Sequence, residues 1–242
     1  MPDSAKTVDA ALALLLELGD GGPGSAAALA RRTGLNRTVA HRLLGTLLAR
    51  GFVRRDGSGP YDLGLALVDL AHRVRPELRE VVIPALEALV ERLGETAAFA
   101  VADGGDAVAL EEVRASGHIV HVDYRPGLRH PLWQGAHGRA ILAFLPDPTV
   151  ERVVTGAPGN PVRDLVEKAR ARGYATSRDE LQPGVAGVAA PVRATAGTVL
   201  GSVGVVYPVS RQPTETTLAR AVLDAAESID KELTRHRVRL TA

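Results

Sequence analysis

The 242-residue chain contains no cysteine, a single methionine and only 3% aromatic residues. The lack of cysteine excludes disulfide bonds, iron–sulfur clusters, thiolate zinc sites and thiol nucleophiles. Because aromatic side chains are scarce, the core must be built from alanine, valine, leucine and isoleucine. No apolar stretch approaches the roughly 18 residues of a membrane span, and the first residues lack the pattern of a signal peptide. We therefore expect a cytoplasmic protein with no membrane partner.

Hydrophobic residues make up 45% of the chain and charged residues 24%, the balance of a folded globular protein rather than a disordered one. The formal net charge is only +1, but the charges are unevenly distributed. The segment from Ser25 to Arg55 has seven arginines and no acidic residue, which leaves 22 basic and 28 acidic residues, a net charge of −6, elsewhere. A basic segment on an acidic body is typical of proteins that bind phosphate groups, although a solvated arginine-rich surface has the same composition.

The first 50 residues have the apolar periodicity of three helices. The first is predicted along the apolar stripe from Val8 to Leu16, and the second along Ala26 to Arg32, where Gly34 ends it. Asn36 is placed to cap the third helix. Two helices joined by a tight turn that contains glycine form the helix-turn-helix pattern, whose second helix enters the major groove of DNA. The apolar face of the third helix is predicted to contain Val39, Leu43, Leu44, Leu47 and Leu48.

The opposite face of the third helix carries polar side chains and no acidic residue. Arginine can recognise guanine there, while threonine and asparagine can contact phosphates, thymine methyl groups or adenine. Residues 52–63 predict a hairpin with a Gly-rich turn, and a basic hairpin behind a helix-turn-helix is typical of a wing. These patterns predict binding to a double-stranded DNA operator, with a small helical protein-binding domain as the alternative. The predicted DNA contacts are Arg31, Asn36, Arg37, Thr38, His41, Arg42, Arg54 and Arg55.

A connecting helix is predicted from Leu63 to Val74. Its apolar face would form a dimer seam or pack on its own domain, and both alternatives stay open. We place the domain boundary near Arg75, which divides the chain into domains 1–75 and 76–242.

The C-terminal part mixes helices and strands. Pro84 lies inside a helical stripe over 78–93 and is expected to kink or interrupt that helix, while Pro191 indicates an edge strand. This order predicts an α+β fold in which an antiparallel sheet is flanked by helices. Strands are predicted over 96–101, 107–113, 119–124, 185–192 and 199–207, and helices over 162–169, capped by Asn160, and 218–233.

Patterns that would support catalysis are weak. His118 and His121 would face opposite sides of a strand and so make a poor metal pair. The glycines within residues 201–204 are too few for a dinucleotide-binding loop, and Asp179 with Glu180 is a carboxylate pair without an evident base. We therefore expect no enzyme activity, no metal site and no cofactor.

The segment from Trp133 to Leu142 predicts a ligand site. It begins as a loop of small residues and then becomes helical, so free N–H groups at the helix start would favour an anion. His137 and Arg139 would add positive potential if their side chains point inward. We expect an effector with a carboxylate or similar acceptor group near this helix start. The alternative is a packed helix entry that needs glycine for steric reasons.

Several separated segments together resemble the IclR (isocitrate-lyase regulator) family of bacterial transcription factors. These segments are Leu29–Leu44, Tyr61–Gly64, Gly94–Thr96, Gly135–Pro146, Gly173–Glu180 and Gly187–Val192. The resemblance implies a winged helix-turn-helix domain, a linker helix and a C-terminal GAF-like effector-binding domain. It implies a recognition helix from Asn36 to Arg50, and homodimers, often paired into homotetramers, on palindromic or repeated operators. The effector-binding residues it implies are Trp133, Gln134, Ala136, His137, Ser177, Asp179, Glu180, Gly187 and Ala189.

The chain departs from the family pattern at three places. Trp133 and Gln134 stand where the family commonly has His-Ala, and Arg139 stands where it commonly has lysine. Gly187 replaces the cysteine of some members. These departures leave the identity of the effector open.

The resemblance implies a one-component switch in which a small molecule, expected to be an organic acid, changes the spacing or mobility of paired recognition helices. Whether the protein represses or activates stays open. The alternatives are an enzyme or a protein-interaction module that carries a DNA-binding appendage.

Overall fold

A computed structural model describes residues 5–117, 121–158, 161–194, 197–211 and 213–235. The chain divides into two compact units, Met1–Pro76 and Glu77–Ala242. None of the helices in the described ranges has the length and hydropathy that a membrane crossing requires.

The first unit is a three-helix domain followed by a hairpin and a short helix. Ser25 caps the second helix, since its Oγ accepts the Ala28 N–H at 3.2 Å. Asn36 caps the third, since its Oδ1 accepts the Thr38 N–H at 2.8 Å. Gly34 ends the second helix in the left-handed region, at φ 70°. The elements are α1 (Lys6–Gly21), α2 (Ala26–Thr33), α3 (Arg37–Ala49), β1 (Val53–Arg55), β2 (Tyr61–Leu63) and α4 (Ala66–His72).

The core of this unit confirms the predicted face of α3 in part, since Leu44 is buried and Leu43 and Leu47 pack against the core. The difference from the prediction is larger in α1. Helix α1 buries Leu14 and Leu18, so Leu12 and Leu16 of the predicted stripe lie on its exposed side. The buried residues of α3 are Ala40 and Leu44, whereas the predicted core residues Val39 and Leu48 are 41% and 40% exposed. In both helices the longest apolar stripe is wider than the surface that the small domain can cover.

The second unit is built on one six-stranded antiparallel sheet with the order β5-β4-β3-β8-β7-β6. A short 3-10 turn, Val209–Arg211, precedes the last helix. The elements are α5 (Pro76–Leu93), β3 (Thr96–Asp103), β4 (Asp106–Val113), β5 (Arg129–Pro131), α6 (Gly135–Leu142), α7 (Asp147–Gly156), α8 (Val162–Arg172), β6 (Ala175–Arg178), β7 (Val185–Arg193), β8 (Val199–Pro208) and α9 (Glu215–Arg235).

Both faces of the sheet are covered by helices. Alternate residues of a strand point to opposite faces, so Phe99 packs in the cluster formed with α5 and α9. Its neighbours Ala98 and Ala100 pack in the cluster formed with α6, α7 and α8. This arrangement confirms the predicted α+β class and places α6 directly on the sheet.

One strand predicted in this unit needs correction. The predicted strand 119–124 begins outside the described residues, and His121–Tyr124 is not a strand. The Tyr124 N–H donates instead to Glu112 Oε1 at 2.8 Å, so a side chain replaces a strand partner. His118 and Asn160 also lie outside the described residues.

Pro84 does not interrupt its helix, which was one of the two predicted outcomes, and Pro191 does not lie in an edge strand. Helix α5 continues through Pro84 as a single helix. Pro191 lies in β7, which is not an edge strand, because β6 and β8 pair with its two sides. The pairing with β6 ends at Ala189, so Pro191 lies where that side of β7 has no ladder partner.

Candidate nucleic-acid interface and effector site

The outward face of α3 presents polar side chains that are free to meet another molecule. Arg37, Thr38, His41 and Arg42 are exposed, as is Arg31 at the end of α2. Within the described part of the chain, none of these side chains forms a hydrogen bond or an ion pair. Helix α3 also has no acidic residue in its first turn, so its positive N-terminal end is not neutralised.

Arg54 and Arg55, the two DNA contacts predicted on the hairpin, bind to other residues of the hairpin itself. Arg54 pairs with Asp62 at 2.6 Å, and this hydrogen bond lowers the pKa of the Asp62 carboxyl below its usual range. Arg55 donates to the Gly59 carbonyl at 2.8 Å and to the Ser58 carbonyl at 2.9 Å, and its guanidinium lies 4.8 Å from the Tyr61 ring centroid. Arg55 therefore holds the turn of the hairpin together, a role that the sequence did not suggest.

Two further arginines of the basic segment behave in opposite ways. Arg32 is bound by Glu17 at 3.1 Å and by the carbonyl of Gly21 at 2.7 Å, so it ties α2 to α1. Arg50, at the end of α3, is exposed, and its side chain forms no hydrogen bond or ion pair with a described residue. The predicted DNA contacts include neither residue, although Arg50 is exposed like the arginines that they do include on α3.

The predicted effector-binding residues lie on α6 and on the strands beneath it. Ser177 of β6 is directly opposite Gly187 of β7. A Cβ placed on Gly187 would lie 3.3 Å from Ser177 Oγ and 3.5 Å from the Ala136 Cβ. The structure thus brings Ala136, Ser177 and Gly187 together, with Ala189 two residues further along β7. We use the name effector site for Ala136, His137, Ser177 and Gly187.

A carboxylate of the protein itself occupies the start of α6. Glu180 Oε2 accepts the Gly135 N–H at 2.9 Å and an Arg139 N–H at 2.5 Å, and Oε1 accepts a second Arg139 N–H at 2.6 Å. Gln134 Nε2 donates to the Glu180 carbonyl at 2.5 Å. Burial alone would raise the pKa of Glu180, but the hydrogen bonds from Arg139 and Gly135 keep it below the usual value.

This arrangement changes the interpretation of the helix start. The anion expected there is supplied by Glu180, and the guanidinium of Arg139, only 2% exposed, is already neutralised. Gly138 has a steric purpose, since a Cβ on it would lie 2.8 Å from the Leu132 carbonyl oxygen. Residues 134–139 therefore fit the alternative that the sequence left open, a packed helix entry that needs glycine for steric reasons.

His137 contributes a neutral ring rather than a positive charge. Its side chain is 2% exposed, and burial, with a smaller effect from His130, lowers its pKa to about 3. The expectation of positive potential from His137 is therefore wrong at neutral pH. The imidazole stacks on Tyr124, with ring centroids 4.7 Å apart and planes 26° apart.

Tyr124 and His130 complete this buried cluster, and neither is among the predicted site residues. The Tyr124 hydroxyl lies 2.6 Å from His130 Nε2. Burial lowers the pKa of His130 and raises that of Tyr124. Tyr124 was assigned only to the predicted strand 119–124, whose described part is irregular, and His130 lies in a three-residue strand that no pattern indicates.

The remaining predicted effector residues have mixed surroundings. Asp179 adopts a left-handed conformation, φ 57°, and its Oδ1 accepts the Gly184 N–H at 2.6 Å, so it shapes the loop between β6 and β7. Trp133 is half-buried against the cluster around α6, and its carbonyl accepts from Arg139 at 3.4 Å. A cavity of about 250 Å³ lies beside Arg139, Ser177 and Glu180. Among the described residues, no group of three His, Cys, Asp or Glu side chains could hold a metal ion.

Comparison with known proteins gives the family. Residues 71–231 match the profile described as "Bacterial transcriptional regulator IclR C-terminal", and residues 7–57 match "IclR helix-turn-helix domain". The glycerol operon regulatory protein of Streptomyces griseus is 32% identical over 232 residues, which cover 85% of this chain and 87% of that protein.

Solved structures agree with this result. The IclR protein of Thermotoga maritima superposes with a TM-score of 0.79 at 25% identity, covering 95% of this chain and 99% of that chain. An IclR homolog of Microbacterium hydrocarbonoxydans, complexed with 4-hydroxybenzoate, has the same fold, with a TM-score of 0.83, 23% identity and coverage of 95% and 99%. The chain therefore belongs to the IclR family of bacterial transcriptional regulators, with an N-terminal DNA-binding helix-turn-helix and a C-terminal effector domain.

Proposed function

We propose that this regulator binds duplex operator DNA as a homodimer through α3, and that a small organic acid bound in the second unit controls it. We assign residues 1–75 to the DNA-binding domain with its connecting helix, and 76–242 to the effector domain. The observation that carries the proposal is the acid-free face of α3, where Arg37, His41 and Arg42 are exposed and unpaired within the described residues.

The proposed DNA-binding residues fall into three groups: those that contact bases, those that contact phosphate and those that hold the domain in shape. Arg37, Thr38, His41 and Arg42 lie in the first turns of the recognition helix, the part that meets base edges in the major groove. We assign Arg31 and Arg54 to phosphate contacts, and Arg54 remains 59% exposed despite its pair with Asp62. Asn36 acts mainly as a cap, and Arg55 acts by holding the wing in shape.

The dimer is supported by apolar surface on the first unit. Val8, Leu12 and Leu16 form a stripe along α1 and are 57%, 53% and 69% exposed. Leu65 and Val68, at the start of α4, are 80% and 50% exposed. A second copy would bury these residues in a two-fold interface, and a two-fold dimer matches a palindromic operator. A tetramer is the other assembly that an experiment would distinguish.

The effector is expected to act by binding and without turnover. The relatives are named as transcriptional regulators, and one structural neighbour is complexed with 4-hydroxybenzoate. A ligand changes the affinity for DNA only by as much as its own affinities for the two states differ. The effector site on α6, β6 and β7 is where we place this ligand.

The test begins with genomic fragments that the purified protein retains, which supply the operator. We expect Arg37→Ala/Arg42→Ala to lose discrimination between operator and unrelated duplex in fluorescence anisotropy, because each arginine–guanine contact contributes about 1–3 kcal/mol. The matched control is Arg152→Ala/Arg220→Ala, which removes two exposed arginines from the second unit. Unchanged discrimination in the α3 variant would remove these residues from the interface.

A further inference from the structure

One nitrogen of the effector site lacks a partner. His137 lies in α6 with its side chain enclosed, and Nε2 has no hydrogen-bond partner among the described residues. Buried polar atoms are nearly always hydrogen-bonded, so this exception needs an explanation. In a domain that binds an effector, the ligand is a candidate for the missing partner.

The other contacts of the ring determine which hydrogen bond Nε2 can make. His137 Nδ1 lies 2.9 Å from Ser202 Oγ, and Ser202 Oγ lies 3.2 Å from the carbonyl oxygen of His137. A carbonyl can only accept, so the single hydroxyl proton of Ser202 goes to it when both contacts are satisfied. Nδ1 must then carry the ring proton and donate to Ser202. Nε2 is left as an acceptor.

His130 shows the same tautomer with its acceptor satisfied. His130 Nδ1 donates to the Pro131 carbonyl at 3.2 Å, so its Nε2 accepts the Tyr124 hydroxyl proton at 2.6 Å. Tyr124 has one such proton and cannot also serve His137, although the two rings stack. The cluster therefore contains two matching imidazoles and a single internal donor.

The charge of the surroundings restricts the ligand group further. The His137 ring is neutral at pH 7, and the nearest arginine of the helix, Arg139, is paired with Glu180. A carboxylate placed against Nε2 would face a lone pair without a proton between them. A hydroxyl group, in contrast, supplies the missing proton and remains uncharged.

We propose that His137 Nε2 accepts a hydrogen bond from a hydroxyl group of the effector, which makes the effector a hydroxylated organic acid, either an alcohol or a phenol. This inference rests on the proposed effector domain and names the ligand class for that site. Since a lost hydrogen bond to a buried acceptor is not replaced by water in a closed site, the hydroxylated acid should bind at least about tenfold more tightly than its deoxy analogue. That ratio corresponds to about 1.4 kcal/mol.

The first experiment detects the tautomer in the full-length protein. We expect long-range ¹H–¹⁵N spectra of histidine-labelled protein to show His137 protonated on Nδ1 and bare on Nε2. Addition of 4-hydroxybenzoate or 3-hydroxybutyrate should shift the Nε2 resonance. A proton found on Nε2, or no shift with either hydroxylated probe, would overturn the proposal.

The second experiment compares matched ligands by calorimetry. The pairs are 4-hydroxybenzoate with benzoate, and 3-hydroxybutyrate with butyrate. We expect a preference for the hydroxylated member of at least one pair in the wild-type protein, and a ratio near one in His137→Asn, which removes Nε2. His121→Asn, at an exposed histidine, is the control and should keep the wild-type ratio.

The outcomes separate this inference from the proposed function. Equal binding of both members of each pair, with DNA affinity still changed by the acid, would overturn the role of His137 and leave the regulator intact. Absence of operator binding by the wild-type protein would overturn the proposed function itself.

Discussion

Gly45 lies in the middle of α3, three residues after Arg42 and four after His41, on the face assigned to DNA. A Cβ added there would meet no atom of the protein within 4 Å, and the backbone has ordinary helical geometry. Glycine inside a helix costs roughly 0.5–1 kcal/mol relative to alanine. We therefore expect Gly45→Ala to raise the free energy of unfolding by about that amount in urea denaturation followed by circular dichroism.

The same substitution should weaken operator binding, because a methyl group would stand where DNA approaches the helix. Gly19→Ala is the matched control: Gly19 is exposed in α1 and also has open space around it. Both variants should gain stability, and only Gly45→Ala should lose affinity in anisotropy titrations. Equal affinities of the two variants would show that the interface ends before Gly45.

Residue roles were predictable where the cause is local. Asn36 and Ser25 could be recognised as caps because the bonds they make span two or three residues. The pair of Arg139 with Glu180 could not, because 41 residues separate the partners and the sheet brings them together. The neutral state of His137 also depends on burial, which the sequence does not contain.

At the scale of elements, the loop between β6 and β7 is fastened to α6 by Glu180. We expect Glu180→Gln to destabilise the second unit by about 3 kcal/mol, because it leaves the enclosed Arg139 without its counter-charge. The folded pKa of Glu180 lies below its unfolded value. The stability that the Glu180 carboxylate contributes to the fold is therefore fully present above the unfolded pKa and is lost as the pH falls through the folded pKa.

Chemical unfolding at pH 7 and at pH 3 measures this difference. The difference in the free energy of unfolding between the wild-type protein and Glu180→Gln should be larger at pH 7 than at pH 3. Glu167→Gln, at an exposed position of α8, serves as the control and should match the wild-type protein at both values. A gap that widens towards pH 3 would contradict the assigned charge state.

Helices and strands were predictable from periodicity and turns, but their faces and neighbours were less so. The α+β class and the helix-turn-helix are confirmed. The strand predicted over 119–124 was wrong in its described part because alternation alone cannot show whether a partner strand is present. Pro191 was misplaced because an edge can exist along part of a strand.

For the molecule as a whole, the basic segment predicts a strong dependence of DNA binding on salt. Each phosphate contact contributes about −0.9 to the slope of log affinity against log salt. We expect Arg31→Ala to reduce the steepness of that slope by about 1 and to affect all duplex sequences alike. Arg152→Ala should leave the slope unchanged. A sequence-dependent loss in Arg31→Ala would place its side chain on a base instead.

The apolar stripe on α1 gives the last test, that of assembly. Leu12→Gln introduces a polar group where the side chain is 53% exposed in the single chain, so the fold should tolerate it while a dimer interface should not. We expect sedimentation velocity to show a dimer for the wild-type protein and a larger monomer fraction for this variant. Affinity for a palindromic operator should fall with it, because the two half-sites would no longer be bound by one particle.

Leu128→Gln, at a 41% exposed leucine of the second unit, controls for lost surface hydrophobicity. If Leu12→Gln sediments as the wild-type protein does, the two-fold contact lies on another surface and the exposed stripe of α1 needs a different partner.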